Sequence, residues 1–115
     1  MERYEELLDR WQDYNDTMSA EEVDELFNMV YDHVEAGELL SEAELSVVVE
    51  GNVIDSEILE VGRKGWVEMR SIYEIRGRYY AIDYGYNDMC GCEYDEQILQ
   101  EVVEKTVMRK IWCTK

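Results

Sequence analysis

Proline is missing from the chain altogether, and so are repeats, low-complexity tracts and linkers, so nothing divides the 115 residues into separate domains. That length suits one domain with a modest hydrophobic core, and residues 1–115 read as a single unit. No apolar run approaches the roughly 18 residues that a membrane-spanning helix needs. The N-terminal MERYEELLDR is charged and amphipathic, unlike a signal peptide. The expectation is a soluble cytoplasmic protein with no membrane partner. Cysteine is scarce too. Cys90 and Cys92 are separated only by Gly91, and Cys113 lies near the C-terminus. An odd count without framework spacing speaks against a secreted disulfide scaffold.

Catalytic signatures are equally thin. There is no Gly-rich phosphate loop after a strand, no HExxH, no GxSxG and no CxxC. The single histidine, His33, has no evident nucleophile beside it and reads as a surface residue favourable to a helix C-terminus. Cys90-Gly91-Cys92 is too tightly spaced for the usual zinc knuckle. The reading is a non-enzyme with no cofactor and no metal. A carboxylate- or metal-dependent hydrolase is the remaining enzymatic alternative, since carboxylates abound.

Positive charge is what the first half lacks most. Residues 1–62 contain 19 Asp and Glu against Arg3 and Arg10 alone, a net of −17, whereas residues 63–115 hold 9 acids against 9 Lys and Arg. Adaptation to salt, or a general need for solubility, would spread acids over the whole surface. A local acidic surface invites a basic partner instead.

What is present is organised around Trp66 to Tyr86, WVEMRSIYEIRGRYYAIDYGY, an antiparallel hairpin closed by Arg76-Gly77. Pairing about that turn sets Ile75 against Arg78, Tyr73 against Tyr80, Ser71 against Ile82, Met69 against Tyr84 and Val67 against Tyr86. All of these share one face, which must be covered. The opposite face, with Glu68, Arg70, Ile72, Glu74, Tyr79, Ala81 and Asp83, reads as mostly solvated, Arg70 lying across from Asp83. A two-residue turn here needs Arg76 to accept a positive φ.

Along the rest of the chain, Tyr4, Leu7, Leu8, Trp11 and Tyr14 predict a helix over residues 3–14, ended by Asn15-Asp16. Its other side carries Glu2, Glu5, Glu6, Asp9, Asp13 and Asp16. Ser19 and Glu22 form a capping box ahead of a second helix with Val23, Leu26, Phe27, Val30 and Val34 inward, stopped at Gly37. Glu21, Asp24, Glu25, Asp32 and Glu35 line its exposed face. A second box, Ser41 with Glu44, favours helix over strand for residues 41–50, although periodicity fits both. Residues 53–61 read as extended, and Gly62-Arg63-Lys64-Gly65 as a hairpin loop. NDMCGCEYDEQ reads as an acidic loop, and residues 102–113 as a last strand, with a helical turn around 98–103 as an alternative. The fold class is therefore α+β: two or three N-terminal helices packed on an antiparallel sheet of three to four strands. The acidic helical half covers about residues 1–50 and the sheet half about 53–113. The stripes of the first two helices are the natural cover for the hairpin's aromatic face.

Like charges four apart cost roughly 0.2–0.5 kcal/mol per pair in an isolated helix, and this chain tolerates several without interleaved Lys or Arg. An ordinary solvated face that happens to be acidic is the plainest explanation. The functional one is that Glu5, Asp9, Asp13, Glu21, Asp24, Glu25, Asp32 and Glu35, in rows about 5–6 Å apart, imitate phosphates and occupy a basic nucleic-acid groove of another protein. Direct binding of nucleic acid is not expected. A monomer or a homodimer through the outer hairpin face both fit.

The run SIYEIRGRYYAIDYG, preceded by WVEMR and followed by EKTVMRKIWCTK, resembles small proteins of phages and mobile elements of Gram-positive bacteria. The likeness covers residues 66–115 and transfers no functional residue. Small acidic proteins of such elements include anti-CRISPR proteins, several of them nucleic-acid mimics. The resemblance therefore implies an origin in such an element and an inhibitory role, with an RNA-guided CRISPR nuclease as the favoured target. A phage structural or regulatory module, choosing its partner through exposed residues such as Ile72 and Tyr79, is the alternative from another class.

Overall fold

The computed structural model describes residues 2–13, 16–105 and 114. Three helices come first, α1 (Arg3–Gln12), α2 (Ala20–Glu35) and α3 (Glu42–Val48). Both capping boxes are formed. The Ser19 and Ser41 side chains accept the amides of Glu22 and Glu44, whose carboxylates accept the serine amides at 3.0 Å. After Ala36, Gly37 takes φ 71° and donates to the Val34 carbonyl while Glu38 donates to that of His33, a Schellman closure. The second box resolves residues 41–50 as helix. Helix α1 ends at Gln12, with Asp13 as its C-cap, and Tyr14 and Asn15 lie outside the described residues.

The strands are β1 (Leu39–Leu40), β2 (Asn52–Val61), β3 (Val67–Ile75), β4 (Arg78–Asn87), β5 (Gly91–Glu93), β6 (Gln97–Ile98) and β7 (Gln100–Val102). The fold is α+β, with helices N-terminal to an antiparallel sheet. Among the described residues the main sheet has five strands in the order β2-β3-β4, with β5 and β7 both on the far edge of β4, while β1 pairs with β6 in a separate two-stranded ribbon. The β3–β4 register is the one the hairpin pattern predicts, from Val67 opposite Tyr86 to Ile75 opposite Arg78. Arg76 and Gly77 close it with φ 53° and 81°.

Two expectations about the chain after Tyr86 are corrected. The acidic stretch read as a loop contains β5 and the first residue of β6, and residues 98–103, where a helical turn is the alternative expectation, hold the end of β6 and β7. These strands are two or three residues long, too short for alternation to register, and exist because neighbouring edges offer them partners. Of the predicted last strand, residues 106–113 lie outside the described residues.

Leu7 of α1, Leu26, Val30 and Val34 of α2, Leu40 of β1 and Leu45, Val47 and Val48 of α3 form one core with Tyr73, Ile75, Tyr80, Ile82 and Leu99. Edge-to-face contacts of Phe27 with Trp11 and Tyr31, at 5.8 Å, seal its margin. The helices cover only part of the hairpin's aromatic face. Helices α1 and α3 reach only about 15 and 10 Å and α2 about 24 Å, against about 30 Å for β3. Beyond them Val67, Met69 and Tyr84 are half-buried, and Ile58 and Val61 of β2, which pair with Met69 and Val67, are 63% and 74% exposed; Val53, opposite the buried Tyr73, is 52% exposed. The opposite face is less open than its polarity suggests. Ala81 is buried, Ile72 and Tyr79 are half-buried, and Gln97 grips both the amide and the carbonyl of Asp83 at 2.9 Å. The cross-strand pair forms as expected, Arg70 holding Asp83 bidentately at 2.7 and 3.0 Å.

Candidate functional site: an acidic helical face

The packing of α1 on α2 is set by apolar stripes, and the polar side chains at their borders are fixed by it. Arg3 and Arg10 are seven residues apart and share one flank of α1, beside the stripe of Leu7 and Trp11. From there both reach across to α2. The Arg3 guanidinium meets Glu25 at 3.0 Å and Glu22 at 3.9 Å, and also its own helix neighbour Glu6 at 3.5 Å. Arg10 binds Asp16 through two nitrogens at 2.9 and 3.0 Å and closes on Glu22 as well. The only two cations of the first 62 residues are thus spent along the seam between the helices.

These contacts have electrostatic consequences. Hydrogen bonds from Arg10 hold the Asp16 carboxyl below the usual carboxylate range. The Ser19 backbone amide, and then Arg10, do the same for Glu22. Both arginines are held more firmly protonated by the carboxylates they bind.

The hairpin supplies a third cation. Arg76, at the β3–β4 turn, leans over the outer side of α2, bonding Asp32 at 2.7 Å, Glu35 at 3.2 Å and the Asn28 carbonyl at 3.1 Å. Its guanidinium carbon lies 5.8 Å from the Tyr31 ring centre. The sequence treats Arg76 only as a turn residue; no local pattern shows that the turn lands on α2.

The eight carboxylates read from the sequence therefore divide. Glu25, Asp32 and Glu35 are partners of Arg3 and Arg76 within the chain. Asp13 is exposed at the C-cap of α1. Glu5 and Asp9, one turn apart on the outer side of α1, and Glu21 and Asp24, on the first turns of α2, are exposed and make no ion pair among the described residues. The helical layer carries two separate pairs of open carboxylates, one pair on each helix, and a zipped seam between the helices, rather than a uniform acidic sheet.

Other candidate residues take quieter positions. His33 lies against Tyr4 with the rings tilted by 32° and their centres 4.8 Å apart, and bonds Glu38 through Nδ1. The Tyr4 hydroxyl donates to Glu44, and burial followed by that bond pushes its pKa well up. Cys90 and Cys92 are exposed free thiols, and Cys113 lies outside the described residues. No group of three or more His, Cys, Asp or Glu among the described residues is arranged to hold a metal ion. No described helix is long and apolar enough to cross a membrane. Asp55, Glu57 and Glu60 form a further acidic set that helical spacing does not reveal, because they lie on strand β2. Compared with protein-family models, with curated proteins and with solved structures, the chain matches none.

Proposed function

We propose that the protein is a non-catalytic inhibitor whose acidic helical face occupies a basic nucleic-acid groove of a bacterial defence nuclease, an RNA-guided CRISPR effector being the favoured target. The observation that carries this reading is the division of the carboxylates. The chain brings its cations to the seam and the turn, yet leaves Glu5, Asp9, Glu21 and Asp24 open to solvent. Self-repulsion among such residues offers the fold nothing, and a Lys/Arg-lined groove would relieve it while steering association. Such a protein works in the bacterial cytoplasm, where those nucleases act. It needs no cofactor and does not bind nucleic acid itself.

The test is a binding assay against the effector, with and without guide and target DNA, across a salt series. Tight binding that target DNA blocks and salt weakens is expected. Reversing Glu5, Asp9, Glu21 and Asp24 to Lys is expected to weaken it at least a hundredfold, about 3 kcal/mol. Glu25, Asp32 and Glu35 are left intact in that variant, because reversing them breaks ion pairs inside the fold. Unchanged affinity in the folded variant overturns the reading.

A further inference from the structure

Among the described residues strand β2 ends the sheet, and every one of its residues from Asn52 to Val61 is exposed. Its outer edge, a row of backbone donors and acceptors, has no partner among the described residues. The strand contains no Lys or Arg. Asp55, Glu57 and Glu60 pair with Ile72, Arg70 and Glu68 and so share the sheet face turned away from the aromatic side. Two register shifts, between Val53 and Asp55 and between Ile58 and Glu60, each insert one extra residue. Those residues, Ile54 and Leu59, join the carboxylates on that face. Ile54 walls a hollow of about 470 Å³ with Ile72, Tyr79 and Val102. Leu59 walls another of about 380 Å³ with Ala81 and Ile98. Arg70 borders both hollows and is already bidentate to Asp83.

We infer that the β2 edge docks an extended segment of a partner protein in which Lys or Arg alternates with aliphatic residues, added as a further antiparallel strand. Its backbone would satisfy the open edge. Its cations would fall beside Asp55, Glu57 and Glu60, and its alternate side chains would cover Val53, Ile58 and Val61 on the other face. Charge complementarity chooses this occupant over a second copy of the chain. Two β2 edges laid together would set Asp55, Glu57 and Glu60 of one copy against those of the other. The site is separate from the helical face and does not depend on the function proposed for it.

The experiment titrates the isotope-labelled full-length protein, followed by NMR, with a peptide alternating Lys and Val or Thr and as long as β2. Shift changes and slowed amide exchange confined to β2 and its neighbours are expected. Binding should fall about tenfold when Glu replaces Lys in the peptide, or when Asp55, Glu57 and Glu60 are all changed to Lys in the protein. No binding overturns the inference, as does binding that perturbs only α1 and α2 or that survives the triple change undiminished. Concentration-dependent dimerisation that protects β2 without peptide would assign the edge to a second copy. Peptide binding only by a full-length R109E/K110E variant would assign it to the chain's own C-terminal segment. Either result also overturns the inference.

Discussion

Arg10 shows how one side chain can make the fold of an acidic chain depend on pH. Asp16 and Glu22 are held below the ordinary carboxylate range in the folded protein, by Arg10 and, for Glu22, first by the Ser19 amide. Depressed folded pKa values contribute stability above the unfolded values, and that contribution is lost as pH falls through the folded ones. The clamp is thus complete at neutral pH and fades below about pH 4, where unfolded carboxylates protonate. Urea midpoints of the native protein and Arg10→Gln are expected to differ most above about pH 5 and to converge as the pH approaches 2. A gap that stays constant with pH would mean that Arg10 acts by packing alone. Arg76 does comparable bridging work across a much longer stretch of chain. The turn that requires its positive φ is local, but its carboxylate partners stand 41 and 44 residues away.

Among the elements, the hairpin and the two capped helices were legible because their determinants are local. Alternation over nine paired positions fixes the β3–β4 register, and Ser-x-x-Glu fixes the starts of α2 and α3. Strands β5, β6 and β7 were not legible, since each takes its conformation from an edge supplied elsewhere in the chain. Nor was the incomplete cover of the aromatic face, because alternation tells which residues share a side and not how far a helix reaches along it. Ile82 and Ile58 make the difference measurable, since both lie on that face. Ile82 is wholly buried, and its change to Ala is expected to cost about 3 kcal/mol. Ile58 is 63% exposed on the edge strand, and the same change should cost less than about 1 kcal/mol by chemical denaturation. Equal losses would mean that the far end of the face is covered in solution. The open carboxylates of the candidate site were legible as exposed positions, but which of them the arginines occupy depended on helix packing.

For the whole molecule, charge of one sign outweighs ion pairing. Residues 1–51 contain 16 acids and only Arg3 and Arg10. Exposed ion pairs contribute at most about 1 kcal/mol each, while the remaining like charges repel throughout the helical layer. Added salt is therefore expected to raise the melting temperature at neutral pH while it weakens docking on a basic partner, and thermal denaturation across a salt series checks the first half. A falling melting temperature would show that the ion pairs dominate. The exposed strand at the sheet's border gives the same repulsion a second part to play, in keeping copies of the molecule apart. Near pH 4.2, where the chain's charges cancel, that barrier disappears and the open border becomes adhesive. Acidity then threatens colloidal stability as directly as folding, and the surplus of carboxylates serves as the molecule's dispersant.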